Sequence, residues 1–275
     1  GVPVRALHDH WKGLRPEPSE TSAPRAAVPG HAQGRPFGRT ALSAVSGRRI
    51  SALEFPELLG SISDPPESLY IRGVLPAGRH AVAFVGSRQP TVYGRRMTRR
   101  LAGDAARAGL VVVSGLARGI DSEAHEAALA AGGLTWAVLG SGLDRIYPPE
   151  NKDLCRRIVE SGGCLLSEFP EGTPPLASHF PSRNRIISGL SWAVVVVEGR
   201  IKSGSLITAR LAANQGREVL AMPGPADSGL SEAPHLLIRE GAKPITRIED
   251  LLEVMPPGFK VEKLFPGFLA SLESG

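Results

Sequence analysis

Short apolar runs alternate with longer amphipathic segments from His80 onward, and this alternation constrains the fold more than any other feature of the sequence. Ala81–Val85 is apolar at every position, and Leu110–Val113 and Ala193–Val197 repeat the pattern. Strands buried on both faces of a parallel sheet are apolar in this way. Segments of helical length separate these runs. The sequence therefore predicts an α/β fold with a doubly wound, mostly parallel sheet.

Seven strands and seven longer helices are predicted, after a helical turn at 53–59. The strands cover 69–72, 81–85, 110–113, 134–139, 164–166, 193–197 and 219–222, and the helices cover 92–108, 120–131, 150–160, 184–190, 205–214, 234–240 and 248–254. In such sheets, ligands bind beyond the carboxyl ends of the strands, near the switch in strand order. The turns that follow the strands are therefore the candidate functional segments.

Composition divides the chain into a flexible N-terminal segment (1–47), one folded domain (48–255) and a C-terminal tail (256–275). Residues 16–38 are dense in Pro, Gly, Ala and Ser, and such a segment buries too little apolar surface to offset its ordering entropy. No apolar run approaches the ~20 residues of a membrane span, so we expect a soluble cytoplasmic protein with no membrane contact. Cys155 and Cys164 are too few for a disulfide framework or a cysteine-built zinc site, and we expect no metal.

Positive charge is concentrated in one stretch of the chain. The formal net charge is +5, and the window 84–122 holds two aspartates against seven arginines, namely Arg88, Arg95, Arg96, Arg99, Arg100, Arg107 and Arg118. Guanidinium groups match phosphate oxygens in bidentate geometry, so clustered arginines are typical of phosphate binding. A solvated helix face in an arginine-rich protein is the alternative interpretation.

Glycine and serine recur beside basic residues in the turns after the predicted strands. These turns contain Gly86, Ser87 and Arg88; Ser114, Gly115 and Arg118; Gly140–Gly142; and Lys202, Ser203, Gly204 and Ser205. Backbone N–H groups at a helix start bind anions, and a fixed cation strengthens the site. The turns predict a phosphate-binding surface at one edge of the sheet, although strand-to-helix turns also use Gly and Ser for their geometry.

Motifs for common cofactors and for bond cleavage are missing from these turns. A dinucleotide site needs G-x-G-x-x-G after the first strand and a carboxylate after the second, and neither is present. The Walker-type G-x-x-x-x-G-K-[ST], the hydrolase elbow G-x-S-x-G and the zinc helix H-E-x-x-H are also absent. We therefore expect no cofactor and no enzymatic activity.

The segment 179–187 combines an aromatic ring with alternating arginines. Phe180 stands three residues before Arg183, and Arg185 follows two residues later, as a loop enters the predicted helix. Single-stranded nucleic acid uses this combination, with bases stacked on the ring and phosphates on guanidinium groups. The alternative is that Phe180 packs in the core and the arginines form structural ion pairs.

A series of motifs between residues 50 and 255 resembles the DNA-processing protein A family. The matching residues are Phe84-Val-Gly-Ser-Arg88, Ser114-Gly-Leu-Ala-Arg-Gly-Ile-Asp121, Val138-Leu-Gly-Ser-Gly-Leu-Asp144, Tyr147-Pro148, Ser167-Glu-Phe-Pro170, Phe180-Pro-Ser-Arg-Asn-Arg-Ile-Ile187, Ser203-Gly-Ser-Leu-Ile-Thr-Ala209, Met222-Pro-Gly224 and Leu237-Ile-Arg-Glu-Gly-Ala242. The resemblance implies an extended Rossmann-like domain that binds single-stranded DNA without catalysis. It also implies a homodimer that protects incoming DNA and loads RecA recombinase onto it in competence and natural transformation.

The resemblance also assigns site residues. DNA would be held by Gly86, Ser87, Arg88, Ser114, Gly115, Arg183, Arg185 and the turn from Lys202 to Ser205, with Phe180 as the stacking ring. Members often place a lysine where this chain has Ala177, so Arg118 or the face with Arg95 and Arg99 would supply the missing phosphate contact. The segment with His235 and Ile238 resembles the family's dimer surface, although Ala233-Pro-His235 departs from the usual pattern.

Two other functions compete with this reading. Related Rossmann-like folds cleave nucleoside monophosphates at the ribose–base bond, but they carry a P-G-G-x-G-T-x-x-E stretch that Pro223-Gly-Pro225 does not continue. In a purely architectural role, the arginine-rich helix would bind duplex and single strands equally. A pocket with Phe180 predicts a preference for single strands instead.

Overall fold

The computed structural model describes residues 47–261, and a nine-stranded sheet runs through the whole of this region. The strands are β1 (Arg48–Ser51), β2 (Ser68–Gly73), β3 (Ala81–Val85), β4 (Val111–Ser114), β5 (Thr135–Leu139), β6 (Cys164–Ser167), β7 (Ala193–Val196), β8 (Glu218–Ala221) and β9 (Lys243–Pro244). The predicted flexible segment, except for its last residue, and most of the predicted tail lie outside the described residues.

The strand order is β1-β2-β6-β5-β4-β3-β7-β8-β9. All pairs from β6 to β9 are parallel, whereas β2 pairs antiparallel with both β6 and β1. The prediction of a mostly parallel sheet is confirmed. The order switches at β3, which lies between β4 and β7, and β3 pairs Ala83 with Val113 on one side and with Val194 on the other.

Helices cover both faces of the sheet. They are α1 (Glu57–Gly60), α2 (Val92–Arg107), α3 (Ile120–Ala130), α4 (Lys152–Glu160), α5 (His179–Gly189), α6 (Gly204–Asn214), α7 (Glu232–Arg239) and α8 (Ile248–Leu252). One core cluster joins α5, α6 and α7 to the sheet through residues such as Ile187, Leu206 and Leu237. The opposite face packs α2, α3 and α8 through residues such as Leu101. Within residues 47–261, no helix combines the length and the apolar character of a membrane span.

Helix α5 begins five residues before the predicted start at Asn184, so the prediction of a loop through residue 183 is wrong. Pro181 is the third residue of this helix. An amide in the first turn has no acceptor within the helix, and proline is tolerated there. Phe180 and Arg183 consequently project from a helix and not from a loop.

Candidate nucleic-acid interface

The turns after β3, β4, β5 and β7 leave the sheet at the same edge, because these strands are parallel neighbours. We call this region the strand-end site. It comprises residues 86–89, 114–119 and 140–142, the first turns of α5, and residues 198–205. The helix-to-strand turns leave at the opposite edge. The site therefore surrounds the switch in strand order, where open α/β sheets bind their ligands.

The turn after β3 is shaped by close packing at Gly86. A Cβ on this residue would lie 2.6 Å from Cγ1 of Ile120 and 3.0 Å from the carbonyl oxygen of Glu198. The Ser87 hydroxyl accepts a hydrogen bond from the amide of Gln89 at 3.1 Å. Arg88 follows on the exposed rim. Gly86 thus has a packing role, and Arg88 presents its charge outward.

Arg183 is buried beneath the strand ends, with 4% of its surface exposed. Its Nη1 donates to the carbonyl oxygen of Gly115 at 2.8 Å and to that of Val138. Burial lowers the pKa of Arg183 to about 10, although the carboxylate of Asp121 acts in the opposite direction. The guanidinium is therefore still charged at neutral pH. It fastens the turn after β4 to the end of β5.

The turn after β4 is tied to Asp121, which accepts hydrogen bonds from the amides of Gly115 at 3.1 Å and Ala117 at 3.3 Å. Burial raises the pKa of Asp121. The Ser114 hydroxyl is also engaged, since it donates to the Phe84 carbonyl at 2.7 Å. Leu116, between these groups, has φ of 59°, a left-handed conformation that costs about 1–3 kcal/mol in a non-glycine residue. Internal hydrogen bonds therefore hold this turn rigid.

Two guanidinium groups lie close to the ring of Phe180. Its ring centroid is 5.5 Å from Cζ of Arg88 and 5.9 Å from Cζ of Arg183. The ring is partly exposed and packs over Gly140, where a Cβ would lie 3.1 Å from Cδ1 of Phe180. Tyr147, 39% exposed, stands beside it with ring centroids 5.8 Å apart. The site therefore offers an aromatic surface flanked by positive charge.

The turn after β7 joins the start of α2 and the start of α6. The buried carboxylate of Glu198 accepts hydrogen bonds from the Thr91 amide at 2.9 Å and from the Thr91 hydroxyl, at the N-cap of α2. Ser203 caps α6, and its hydroxyl lies 2.8 Å from that of Ser205. Lys202 and Gly204 are exposed. Among the described residues, no carboxylate forms an ion pair with Lys202.

Two of the predicted DNA-binding arginines are engaged by carboxylates. Arg185 binds both carboxylate oxygens of Glu168, at 2.9 and 2.6 Å, and Asp64 at 3.1 Å. Only 13% of its side chain is exposed. Arg118 forms an ion pair with Glu150 on the surface. The roles of Arg185 and Arg118 in DNA binding stay predictions, and the geometry gives Arg185 a structural part as well.

The predicted dimer residues lie on α7, whose first turn meets the turn after β7, since the Ala233 amide donates to the Gly199 carbonyl at 2.9 Å. The His235 Nε2 is 3.0 Å from the carbonyl oxygen of Gly224. Ile238 is partly buried and packs against the core cluster that includes Leu237. These two residues stay predictions for self-association.

The buried histidine, the two cysteines and His179 are packed within the fold. His125 is fully buried, its Nδ1 lies 2.6 Å from Oγ1 of Thr135, and burial lowers its pKa to about 3. Cys155 and Cys164 are buried free thiols whose pKa values are raised by burial. His179 stacks on Phe169 with ring centroids 4.0 Å apart. Over the described part of the chain, no group of three or more His, Cys, Asp or Glu side chains could hold a metal ion.

Sequence reasoning missed two residues of the site, Glu198 and Tyr147. The carboxylate of Glu198 follows a fully apolar strand directly, and that position is the signal that could have identified it. Tyr147 is 33 residues from Phe180 in the sequence, and no local pattern predicts that their rings meet.

Comparison with known proteins identifies the family. The family model for DNA recombination-mediator protein A matches residues 48–256. Protein Smf of Escherichia coli (strain K12) is 49% identical over 200 residues, which are 72% of this chain and 54% of that protein. DNA processing protein DprA of Bacillus subtilis (strain 168) is 46% identical over 210 residues, covering 75% of this chain and 70% of the relative. The chain thus matches about half the length of the E. coli protein.

Two solved structures share the fold. The X-ray structure of DNA processing protein A from Streptococcus pneumoniae superposes with a TM-score of 0.70 and 42% identity, covering 80% of this chain and 75% of that one. DNA processing protein A from Helicobacter pylori, whose structure is described by its single-stranded DNA binding mode, gives a TM-score of 0.68 at 30% identity and covers 77% and 96%. From the family match and these relatives, the chain belongs to the DNA recombination-mediator protein A family.

Proposed function

We propose that this chain binds single-stranded DNA at the strand-end site, without sequence preference and without catalysis. The observation that carries the proposal is the position of Phe180, a partly exposed ring with the guanidinium groups of Arg88 and Arg183 close to it. Base–aromatic stacking combined with a positive groove is how proteins hold single strands regardless of sequence. The Helicobacter pylori relative, described by its single-stranded DNA binding mode, supports the same ligand.

The residues of the site divide into those that face the strand and those that support them. Arg88 and Lys202 are exposed cations and contact phosphates, while Phe180 stacks on a base. Ser87, Ser203 and Gly204 let backbone and hydroxyl groups approach the strand, while Gly86 and the buried Ser205 support these turns. Ser114, Gly115 and Arg183 are committed to internal hydrogen bonds and hold the turns in place. Arg118 is paired with the exposed carboxylate of Glu150, and it must release that carboxylate before it can bind a phosphate.

The bound strand is protected and passed to RecA recombinase in the cytoplasm during natural transformation. This role follows from the family resemblance and is the reason that no catalytic group is required. The protein acts as a homodimer through α7, where Ile238 is partly exposed and His235 lies beside the Gly224 turn. Sedimentation of the wild-type protein and of Ile238→Arg tests this arrangement. A wild-type monomer at micromolar concentration would contradict it.

Fluorescence anisotropy with a labelled thymidine oligomer tests the DNA site. We expect binding that weakens steeply with salt, because phosphate contacts release counterions, and that resists duplex competitor. Arg88→Glu should abolish it. Arg49→Glu is the matched control, since Arg49 is exposed on β1, five strands or about 24 Å from β3. Equal competition by duplex, together with wild-type binding by Arg88→Glu, would refute the proposed site.

A further inference from the structure

A row of arginines runs along the exposed face of α2, away from the strand-end site. Arg96, Arg100 and Arg107 are spaced by four and seven residues, which places them on one side of the helix. Arg96 and Arg100 are exposed, and Cζ of Arg96 lies 5.8 Å from the ring centroid of Tyr93. Arg107 is partly exposed and paired with Asp104. The row therefore presents at least two outward guanidinium groups.

The arginines on the neighbouring side of α2 share one carboxylate, which offsets one of their two charges. Arg95 and Arg99 bind the same carboxylate, that of Glu123 on α3, at 2.8 and 2.6 Å. Between residues 47 and 261, no carboxylate lies within ion-pair distance of Arg96 or Arg100. The two pairs of arginines on this helix thus differ in whether a carboxylate of the protein already engages them.

The row ends near a basic cavity at the opposite edge of the sheet. This cavity of about 200 Å³ is lined by Arg79, His80, Phe259 and Lys260, and by Gly109, two residues beyond the end of α2. The His80 and Phe259 rings pack edge to face, with centroids 5.3 Å apart. None of the described residues that line the cavity carries a carboxylate. Its lining favours an anionic group.

The spacing along α2 suits a chain of phosphates. At 1.5 Å per residue, Arg96 lies about 6 Å along the helix from its start at Val92, Arg100 about 12 Å and Arg107 about 22 Å. The start of α2 adjoins the strand-end site, because the Thr91 amide donates to the carboxylate of Glu198. A strand that leaves that site along α2 meets a cation at each of these steps.

We propose that Arg96 and Arg100 form a second DNA contact, a track for the backbone phosphates of single-stranded DNA that extends beyond the strand-end site, with the cavity at Lys260 as its end. The track recognises charge alone, because guanidinium groups bind phosphates and no exposed ring stands between the two arginines. This proposal rests on the proposed function, since the strand must first occupy the strand-end site.

Salt-dependent anisotropy with two oligomer lengths tests the track. A thymidine oligomer of about 6 nucleotides fills the strand-end site alone, and one of about 30 nucleotides also reaches along α2. In the double variant Arg96→Gln/Arg100→Gln, we expect unchanged binding of the short oligomer. For the long oligomer, the slope of log affinity against log salt should flatten by about 1.4, because each lost phosphate contact on a single strand removes about 0.7.

The matched control is Arg95→Gln/Arg99→Gln, which removes the same charge from the same helix but takes it from two guanidinium groups that share the carboxylate of Glu123. Its salt slope with the long oligomer should stay steeper than that of the track variant. Thermal unfolding of both double variants confirms that each is folded. An equal flattening in the two variants would show a general charge effect and overturn the track.

The remaining outcomes separate this proposal from the proposed function. The track is refuted if Arg96→Gln/Arg100→Gln leaves binding of the long oligomer unchanged, or if it weakens binding of the short oligomer equally. In either case, loss of binding in Arg88→Glu would still support the strand-end site. If Arg88→Glu binds both oligomers like the wild type, the proposed function fails and the track fails with it. Lys260→Gln should weaken only the long oligomer, and weakened binding of the short one would remove the cavity from the track.

Discussion

The guanidinium of Arg183 packs directly against Gly115. Its Nη1 donates to the glycine carbonyl at 2.8 Å, and a Cβ on residue 115 would lie 2.6 Å from Nη2. Because the guanidinium is buried, the Gly115→Ala variant must displace it or the backbone. We expect the free energy of unfolding to fall by about 1–3 kcal/mol. DNA affinity should fall too, since Arg183 supports Phe180.

Chemical denaturation and oligomer binding measure the two effects of Gly115→Ala. Gly60→Ala is the control, because no atom lies within 4 Å of an added Cβ there and its φ is not in the left-handed region. Equal stability of the Gly115→Ala variant and the wild type would show that the turn after β4 accommodates Arg183 elsewhere.

Replacement of Phe180 by leucine keeps an apolar side chain over Gly140 but removes the stacking surface. We expect single-strand affinity to fall by about 1–3 kcal/mol with an unchanged salt slope, because no charge is lost. Competitive anisotropy measures both quantities. Phe55→Leu removes a partly buried ring elsewhere in the fold and should have no effect on binding. Wild-type affinity in Phe180→Leu would exclude base stacking on this ring.

Arg185→Gln separates a structural role from a DNA contact. The variant loses two hydrogen bonds to Glu168 and two to Asp64, all made by a side chain that is 13% exposed. We expect unfolding to become easier by about 1–3 kcal/mol, as for charge-assisted hydrogen bonds that are partly shielded from water. Denaturation of this variant, of Glu168→Gln and of the double variant gives the coupling energy.

The control for Arg185 is Arg156→Gln, whose ion pairs with Asp153 and Glu160 are exposed and should contribute under about 1 kcal/mol. A large loss of DNA affinity in Arg185→Gln with little loss of stability would instead favour a direct phosphate contact, as the family resemblance implies.

Stability should fall between pH 7 and pH 5 through His125. Burial lowers the pKa of this residue to about 3 in the folded state, against 6.5 in the unfolded chain. The unfolded state therefore binds the proton first, and the stability present above pH 6.5 is lost as pH falls toward 3. Linkage gives a loss of about 2 kcal/mol at pH 5.

Denaturation of the wild type and of His125→Asn at both pH values isolates this contribution. The asparagine does not titrate, so the difference between the two pH profiles belongs to His125. Parallel profiles would mean that the imidazole reaches solvent in the folded state.

The sheet was predictable because its information is local. Runs such as Ala81–Val85 are apolar throughout, as a doubly covered strand must be, and the helix between β3 and β4 follows from length and spacing. The edge strand β1 was not predicted, because Arg48–Ser51 has one buried residue in four and no such pattern. The start of α5 was misplaced because Pro181 resembles a loop residue unless it is known to lie in the first helical turn.

The chemistry of the site was only partly predictable, because its partners are far apart in sequence. Asp64, whose carboxylate accepts a hydrogen bond from Arg185, is 121 residues away from it in the sequence. Glu198 accepts a hydrogen bond from the amide of Thr91, 107 residues earlier. Composition shows that an arginine is present, but only tertiary packing decides whether its charge is balanced. The same distinction separates Arg95 from Arg96 on one helix.

The strand-end turns and the helix-to-strand turns lie at opposite ends of the parallel strands, and this separation matters for attaching the protein to a surface. The turns at Gly132 and Gly162 end α3 and α4 on the edge opposite the strand-end turns, and both glycines have positive φ, 72° and 89°. A tether or dye inserted beside either glycine would leave the strand-end turns untouched. Molecules attached to a surface at these turns would all expose their strand-end turns to solution. This orientation suits single-molecule recordings of a captured strand.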